Sequence, residues 1–208
     1  DLEEANIPVL IPGMVPVKWA GSAWITTTIE DPEWYDYNSS QRQWANVMLT
    51  DGLTYYEGTE IKEASEALPS GKIIANEGSM YVWLPRYTYK EEDGVLKDYS
   101  WSQGIVDNTK DGFQRVPAFF YGEYISGDTN DNNNYINRDG VKNELPGIWV
   151  SKFLASEETD MAYIPNKDPD TGKTISEAYK ASKDMLYRNY ELYGITGNAE
   201  SHMMKNSE

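Results

Sequence analysis

The apolar residues of this chain occur in short runs that alternate with polar residues, and a clear helical spacing appears in only one segment. Such alternation is typical of half-buried strands. The two strongest strand patterns are 79–89, in which the Leu84-Pro85 step predicts a bend, and 147–153. We expect the first of these strands to pair in the core, with Val82 and Leu84 on one face and Tyr81, Trp83 and Pro85 on the other.

Two shorter runs, 15–19 and 23–28, surround a Gly-containing turn and predict a hairpin. Two longer stretches are mainly polar. Residues 51–76 are predicted as an insertion or long loop with a possible short helix at 60–67, and 90–144 as a second long loop.

The clearest helical pattern covers 174–193. It begins with a capping box, in which Thr174 and Glu177 satisfy each other's free backbone donors, and Gly194 provides a stop. The residues at helical spacing form one stripe: Ile175, Ala178, Tyr179, Ser182, Leu186, Asn189 or Tyr190, and Tyr193.

The composition excludes several classes of function. The net charge of −16 repels nucleic-acid phosphates, and no apolar run approaches the ~20 residues of a membrane span. The chain has no cysteine and one histidine, which removes thiol nucleophiles and nearly all histidine-based general bases. We therefore expect no enzyme activity from this chain by itself.

Both ends of the sequence suggest a longer parent protein. The first residues are acidic where a signal peptide would be basic, which predicts a mature or trimmed start. The last eight residues lack helix-stopping residues and predict a C-terminal continuation.

Several segments together resemble a group of surface proteins of Gram-positive gut bacteria, whose ectodomain often follows a pilin-like membrane helix. That group is similar to the formylglycine-generating-enzyme branch of the C-type lectin fold, which phage receptor-binding proteins also use. The segments that carry the resemblance are 13–19, 31–35, 43–47, 81–87, 147–153 and 201–206.

The resemblance implies an α+β, irregular C-type-lectin-like fold with short antiparallel strands, long loops and one clear helix, incomplete at the C-terminus. It implies an extended segment and hairpin region at 1–78 and the first part of a lectin-like domain at 79–208. Strands 81–89 and 147–153 would be partners in the core. A missing second half would leave an apolar surface open, lined by Tyr179, Leu186, Trp83 and Trp149.

One acidic loop has the spacing of a calcium site. Asp128, Asn130, Asn132 and Asp139 place oxygen side chains at positions 1, 3, 5 and 12 of an EF-hand-like loop. The alternative is a solvated Asn/Asp turn. A second candidate at 166–177 is weaker, because Glu177 is already explained by the capping box.

Four aromatic residues offer a possible sugar-stacking surface. Trp34, Tyr35, Tyr37 and Trp44 alternate in short strand patterns, which is also typical of core and hairpin pairs. His202 has no neighbouring metal-ligand partner in the sequence, and we interpret it as structural.

These features favour an extracellular, non-catalytic binding protein on a cell or virion surface, of the adhesin or receptor-binding type, with a glycan or protein ligand. An alternative is a structural subunit of a pilus-like filament or phage virion. In that case residues 1–13, which two prolines keep extended, would add a strand to a neighbouring subunit. A second alternative is a formylglycine-generating-type enzyme whose copper-binding cysteines lie in a continuation of the chain.

Overall fold

The computed structural model describes residues 4–40, 42–108, 110–121, 123–124, 135–136, 143–156, 162–193 and 201–204. These residues form mostly antiparallel sheets and one α-helix, so the chain is α+β, as predicted. The strands are β1 Met14–Trp19, β2 Trp24–Thr26, β3 Asn46–Leu49, β4 Thr54–Glu57, β5 Glu60–Glu63, β6 Ile73–Ile74, β7 Met80–Pro85, β8 Tyr87–Glu92, β9 Val95–Trp101, β10 Gln114–Arg115, β11 Phe120–Tyr121, β12 Glu123–Tyr124, β13 Tyr135–Ile136, β14 Asn143–Glu144 and β15 Gly147–Ser151. The helix is α1 Ile175–Tyr193.

Eight strands form the largest sheet, in the order β15-β7-β3-β1-β2-β6-β4-β5. The predicted hairpin is β1 and β2, which pair with Trp19 opposite Trp24. The predicted partnership of 81–89 with 147–153 is confirmed, because β7 and β15 are neighbours. The other sheets are β10-β8-β9, β11-β14 and β12-β13.

The predicted strand 79–89 divides at its proline. Strand β7 ends at Pro85, and β8 begins at Tyr87 in a different sheet. Proline lacks the N–H that would continue the hydrogen-bond ladder, so the predicted bend becomes a change of sheet.

Both sides of β7 are covered. Val82 and Leu84 are half-buried, whereas Met80 and Trp83 are buried. Trp83 was expected to line an open surface, and this was wrong. It is 2% exposed, and its Nε1 donates to the carbonyl oxygen of Asn6 at 3.0 Å. Of the other residues in that prediction, Trp149 is half-buried and Tyr179 is 51% exposed, while the side chain of Leu186 lies outside the described part.

Residues 51–76 contain a hairpin, and the possible helix at 60–67 was wrong. Strands β4 and β5 pair from Thr54 opposite Glu63 to Glu57 opposite Glu60. The two-residue turn between them begins with Gly58, whose φ of 64° is easily adopted only by glycine. Strand pairing here overrides the weak helical pattern.

The polar stretch 90–144 was predicted as a loop, yet it contains β9. Strands β8 and β9 are joined by Asp93 and Gly94, with φ of 55° and 74°. An Asp-Gly pair with both φ values positive is the preferred two-residue hairpin turn. This sequence signal outweighs the polarity of the flanking residues.

The main apolar cluster lies on one face of the large sheet. Burial of each large apolar side chain stabilises the fold by about 1.5–3 kcal/mol. The members of this cluster are Val17, Trp24, Met48, Ile74 and Met80, with Val15 and Phe153 packed against them.

The helix begins as predicted, but its buried face differs from the predicted stripe. The Thr174 N–H donates to Glu177 Oε2 at 2.8 Å, and the Glu177 N–H donates to Thr174 Oγ1 at 3.3 Å. Ser182 and Met185 are buried, whereas Ile175 is 83% exposed. The buried side of the helix therefore includes only part of the predicted stripe, and Ile175 in the first turn is not part of it.

The chain forms two compact units that interleave in sequence. The first comprises Asp1–Val9, Trp83–Ile148 and Met204–Glu208, and the second Leu10–Val82 and Trp149–Met203. The division at 78/79 implied by the resemblance stays a prediction. No helix among the described residues is both long and apolar enough to cross a membrane.

Candidate ligand-binding face

The sheet β10-β8-β9 carries aromatic side chains on one of its two faces. Tyr87 lies opposite Trp101, and Tyr89 lies between Tyr99 on one side and Gln114 on the other. Directly paired residues of an antiparallel sheet share a face. We call Tyr87, Tyr89, Tyr99, Trp101 and Gln114 the aromatic face.

Edge-to-face contacts connect the rings of Tyr87, Tyr99 and Trp101 on this face. The Tyr99 and Trp101 ring centroids are 5.1 Å apart, and the Tyr87 centroid is 6.2 Å from that of Trp101. The ring of Phe119, which is buried, packs against Tyr87, with 5.6 Å between the two centroids. Each such pair contributes roughly 0.5–1.5 kcal/mol beyond area burial, which limits ring motion.

The aromatic face is partly open to solvent. Trp101 is 8% exposed, but Tyr87, Tyr89 and Tyr99 are only half-buried. Burial, with a smaller contribution from the charge of Tyr89, raises the pKa of Tyr87. A tyrosine phenol is protonated at neutral pH, so Tyr87 can donate a hydrogen bond.

The opposite face of the same sheet is polar, and its hydroxyl groups are buried. Thr88 and Ser100 form a cross-strand pair, and each is 1% exposed. Thr88 Oγ1 donates to the Asn108 carbonyl at 2.8 Å, and Asn108 Nδ2 donates to Ser100 Oγ at 2.9 Å. The Asn108 N–H donates to Ser102 Oγ at 3.0 Å. These hydroxyls form what we call the hydroxyl face.

The sheet thus buries its hydroxyls and leaves tyrosine rings partly exposed, which is the reverse of the usual hydrophobic preference. Burial of hydroxyls is tolerated because hydrogen bonds satisfy them. Aromatic rings held in water by a rigid support are typical of binding surfaces.

A buried arginine holds this support in place. Arg86, which is fully buried, joins the end of β7 to the start of β8. Its Nε donates to Asp107 Oδ1 at 2.8 Å, and its Nη2 donates to Glu144 Oε2 at 2.6 Å. Its Nη1 donates to the Leu145 carbonyl at 3.1 Å.

A second arginine bridges the same two carboxylates. Arg115 Nη2 donates to Glu144 Oε1 at 3.1 Å, and Arg115 Nε donates to Asp107 Oδ2. The Arg115 side chain is 34% exposed, whereas that of Asp107 is 6% exposed. The two arginines therefore fix three segments of the first unit that lie far apart in sequence.

The aromatic cluster predicted for sugar stacking is mainly structural. Trp34 and Tyr37 are buried, and only Tyr35 and Trp44 are half-buried. Trp34 Nε1 donates to the Asn46 carbonyl at 2.9 Å, and the Tyr37 hydroxyl accepts from the Ala45 N–H at 3.1 Å. The rings lie in a series with centroid separations of 5.3–5.5 Å. This packing favours the core interpretation for Trp34 and Tyr37.

The predicted calcium ligands Asp128, Asn130, Asn132 and Asp139 lie outside the described residues. Within the described part, no group of three or more His, Asp or Glu side chains is placed to hold a metal ion. The second candidate loop holds Asp170, which accepts from the Gly172 N–H at 3.0 Å as in a tight turn. His202 is half-buried beside Ser201, whose hydroxyl donates to the Ser182 carbonyl at 2.6 Å.

If the 128–139 loop binds calcium, adding the ion should raise the melting temperature and chelation should lower it. The measurement is a thermal melt of the wild type and of Asp128→Ala, each with calcium or with chelator. Only the wild type should respond. Equal melting temperatures in all four samples would leave the loop as a solvated turn.

The aromatic face was missed at the sequence level, although its signal was present. The residues alternate as Tyr87-x-Tyr89 and Tyr99-x-Trp101 around the Asp93-Gly94 turn. Comparison with protein-family models, curated proteins and solved structures finds no match for this chain.

Proposed function

We propose that this chain is a non-catalytic binding protein displayed outside the cell, and that its aromatic face contacts a glycan. The observation that carries this proposal is the inverted sheet β10-β8-β9. Its hydroxyl face is buried and hydrogen-bonded, while Tyr87, Tyr89 and Tyr99 keep solvent exposure. A ligand that covers these rings would remove from water the apolar surface that folding leaves exposed, which is favourable.

The chemistry of the face suits a sugar. A pyranose ring has an apolar C–H side and polar hydroxyl edges, and tyrosine rings combine an apolar surface with a polar tip. The side-chain amide of Gln114 lies on the same face, next to Tyr89, and amides both donate and accept hydrogen bonds. The net charge of −16 disfavours anionic ligands, so neutral glycans are the preferred class.

We also propose that the fold is the lectin-like one implied by the resemblance. The supporting features are the α+β composition, the adjacent strands β7 and β15, and the capped helix α1. A role in a filament or virion is compatible with this proposal. It is favoured by the N-terminal segment, in which Ile7 is 70% and Val9 is 49% exposed.

The test is binding to an array of neutral and acidic glycans. We expect the wild type to bind neutral glycans, and the double variant Tyr89→Ala/Tyr99→Ala to bind them at least about tenfold more weakly, because two stacking rings are lost. Tyr179→Ala is the matched control, since Tyr179 is an exposed tyrosine on α1. This variant should bind like the wild type.

Two results would oppose the proposal. One is a wild-type protein that binds no glycan on the array. The other is a double variant that keeps its affinity while its circular dichroism shows a native fold. Binding restricted to a host-surface protein would replace the glycan with a protein ligand.

A further inference from the structure

The large sheet ends in an edge strand whose outer side is open. Strand β5 is last in the strand order, and no described strand pairs with its outer edge. The edge is short, with Ile61 61% exposed at its centre. Open edges with exposed apolar residues are sites where another strand can add.

An apolar row crosses the sheet to this edge. Ile61 lies opposite Tyr56, Tyr56 opposite Ile73, and Ile73 opposite Ile25, so the four side chains share one face. Ile73 is 39% exposed and Tyr56 is 38% exposed. We call these four residues the apolar row, and it stops at Ile61.

The backbone N–H and C=O groups of Ile61 do not bond within its own sheet. In a hairpin with a two-residue turn, the flanking pair Glu57 and Glu60 is hydrogen-bonded, and bonded pairs then alternate. The Ala64 N–H donates to the Leu53 carbonyl at 2.9 Å, which fits this alternation. The N–H and C=O groups of Ile61 are therefore directed to the open edge.

The charges beside Ile61 are self-complementary. Glu60 and Lys62 lie on the face opposite Ile61, and within one chain Lys62 Nζ is 2.5 Å from Glu60 Oε2. If a second β5 pairs antiparallel with Ile61 opposite Ile61, then Glu60 faces Lys62 of the second copy on both sides of the centre. Opposite charges in such cross-strand positions stabilise the pair.

We infer that this chain forms a two-fold dimer by antiparallel pairing of β5 with β5 of a second copy, centred on Ile61. The two Ile61 residues would exchange N–H to C=O hydrogen bonds, and the two apolar rows would become continuous. An interface of this kind is closed and does not extend into a filament. Strand β5 has only four residues, so the interface is small and we expect a weak dimer that depends on concentration.

The test is sedimentation velocity over a concentration series. The wild type should shift from monomer to dimer as concentration rises. Glu60→Lys alone and Lys62→Glu alone each place like charges opposite each other twice, so self-association should weaken by about tenfold or more. An equimolar mixture of the two variants restores opposite charges and should dimerise at least as well as the wild type.

Lys97→Glu is the control for net charge, because Lys97 is an exposed lysine on β9 and the change in charge equals that of Lys62→Glu. It should dimerise like the wild type. A monomeric wild type at every concentration would overturn the inference. So would a mixture that associates no better than either variant alone while circular dichroism shows a native fold for each variant. The inference does not depend on glycan binding.

Discussion

Arg86→Met is expected to unfold the sheet that carries the aromatic face. Arg86 is fully buried and donates to two carboxylates and a backbone carbonyl. Methionine fills much of the space, but it removes the positive charge and the N–H donors that Arg86 supplies to the carboxylates of Asp107 and Glu144. Breaking a buried ion pair by removing one partner costs about 3–5 kcal/mol of unfolding free energy.

Urea unfolding and hydrogen exchange of the β8 and β9 amides measure this effect. Arg115→Met is the matched control, because Arg115 contacts the same carboxylates from a position that is 34% exposed. The Arg115→Met variant should lose clearly less unfolding free energy, since water can solvate the carboxylate oxygens that Arg115 no longer contacts. Equal stability of the Arg86→Met protein and the wild type would show that the network does not support the sheet.

Gly147→Ala is expected to be the second severe substitution. A Cβ at position 147 would lie 2.6 Å from Trp83 Cε2 and 2.7 Å from the Leu84 carbonyl oxygen. Both are closer than van der Waals contact allows, and the Leu84 oxygen belongs to the backbone of β7. Overpacking of this kind costs about 1–3 kcal/mol or more.

A smaller residue at position 83 should partly relieve this clash. Trp83→Leu alone leaves a cavity and is destabilising. In the double variant Trp83→Leu/Gly147→Ala, the total loss of unfolding free energy should be less than the sum of the two single losses. Additive losses, measured by urea unfolding, would mean that the tryptophan ring does not limit position 147.

Local sequence signals were sufficient where structure depends on nearby residues. The hairpin at Gly21, the break at Pro85 and the capping box of Thr174 and Glu177 follow from turn, proline and cap chemistry. The Asp93-Gly94 turn belongs to the same class, and it was missed because the strand that follows it is rich in polar residues. The Asp93-Gly94 turn therefore determines the local structure more strongly than the polarity of the residues beside it.

Burial was harder to predict than strand position. Trp83 alternates with Val82 and Leu84 in sequence, but it is covered by Asn6, which lies 77 positions away. On the helix, Met185 is buried although it lies outside the predicted stripe, whereas Ile175 lies in that stripe and is exposed. Such contacts depend on tertiary packing, which periodicity does not encode.

The two aromatic clusters show why the site was misplaced. The patterns around Trp34 and Tyr37 and around Tyr87 and Tyr89 look alike in sequence. The first pair of residues is buried with its polar atoms bonded to backbone, whereas the second keeps solvent exposure because the buried support lies on the other face. Asn108 covers that other face through its bonds to Thr88, Ser100 and Ser102, and the sequence pattern around the tyrosines does not indicate these bonds.

The most direct test of the binding face is an NMR titration of protein carrying ¹³C-labelled tyrosine rings with the strongest neutral glycan from the array. Ring signals are assigned by single Tyr→Phe variants. Our account predicts that the signals of Tyr87, Tyr89 and Tyr99 shift together with saturation, while those of Tyr37 and Tyr179 stay unchanged. Saturable shifts confined to tyrosines outside the aromatic face would contradict it.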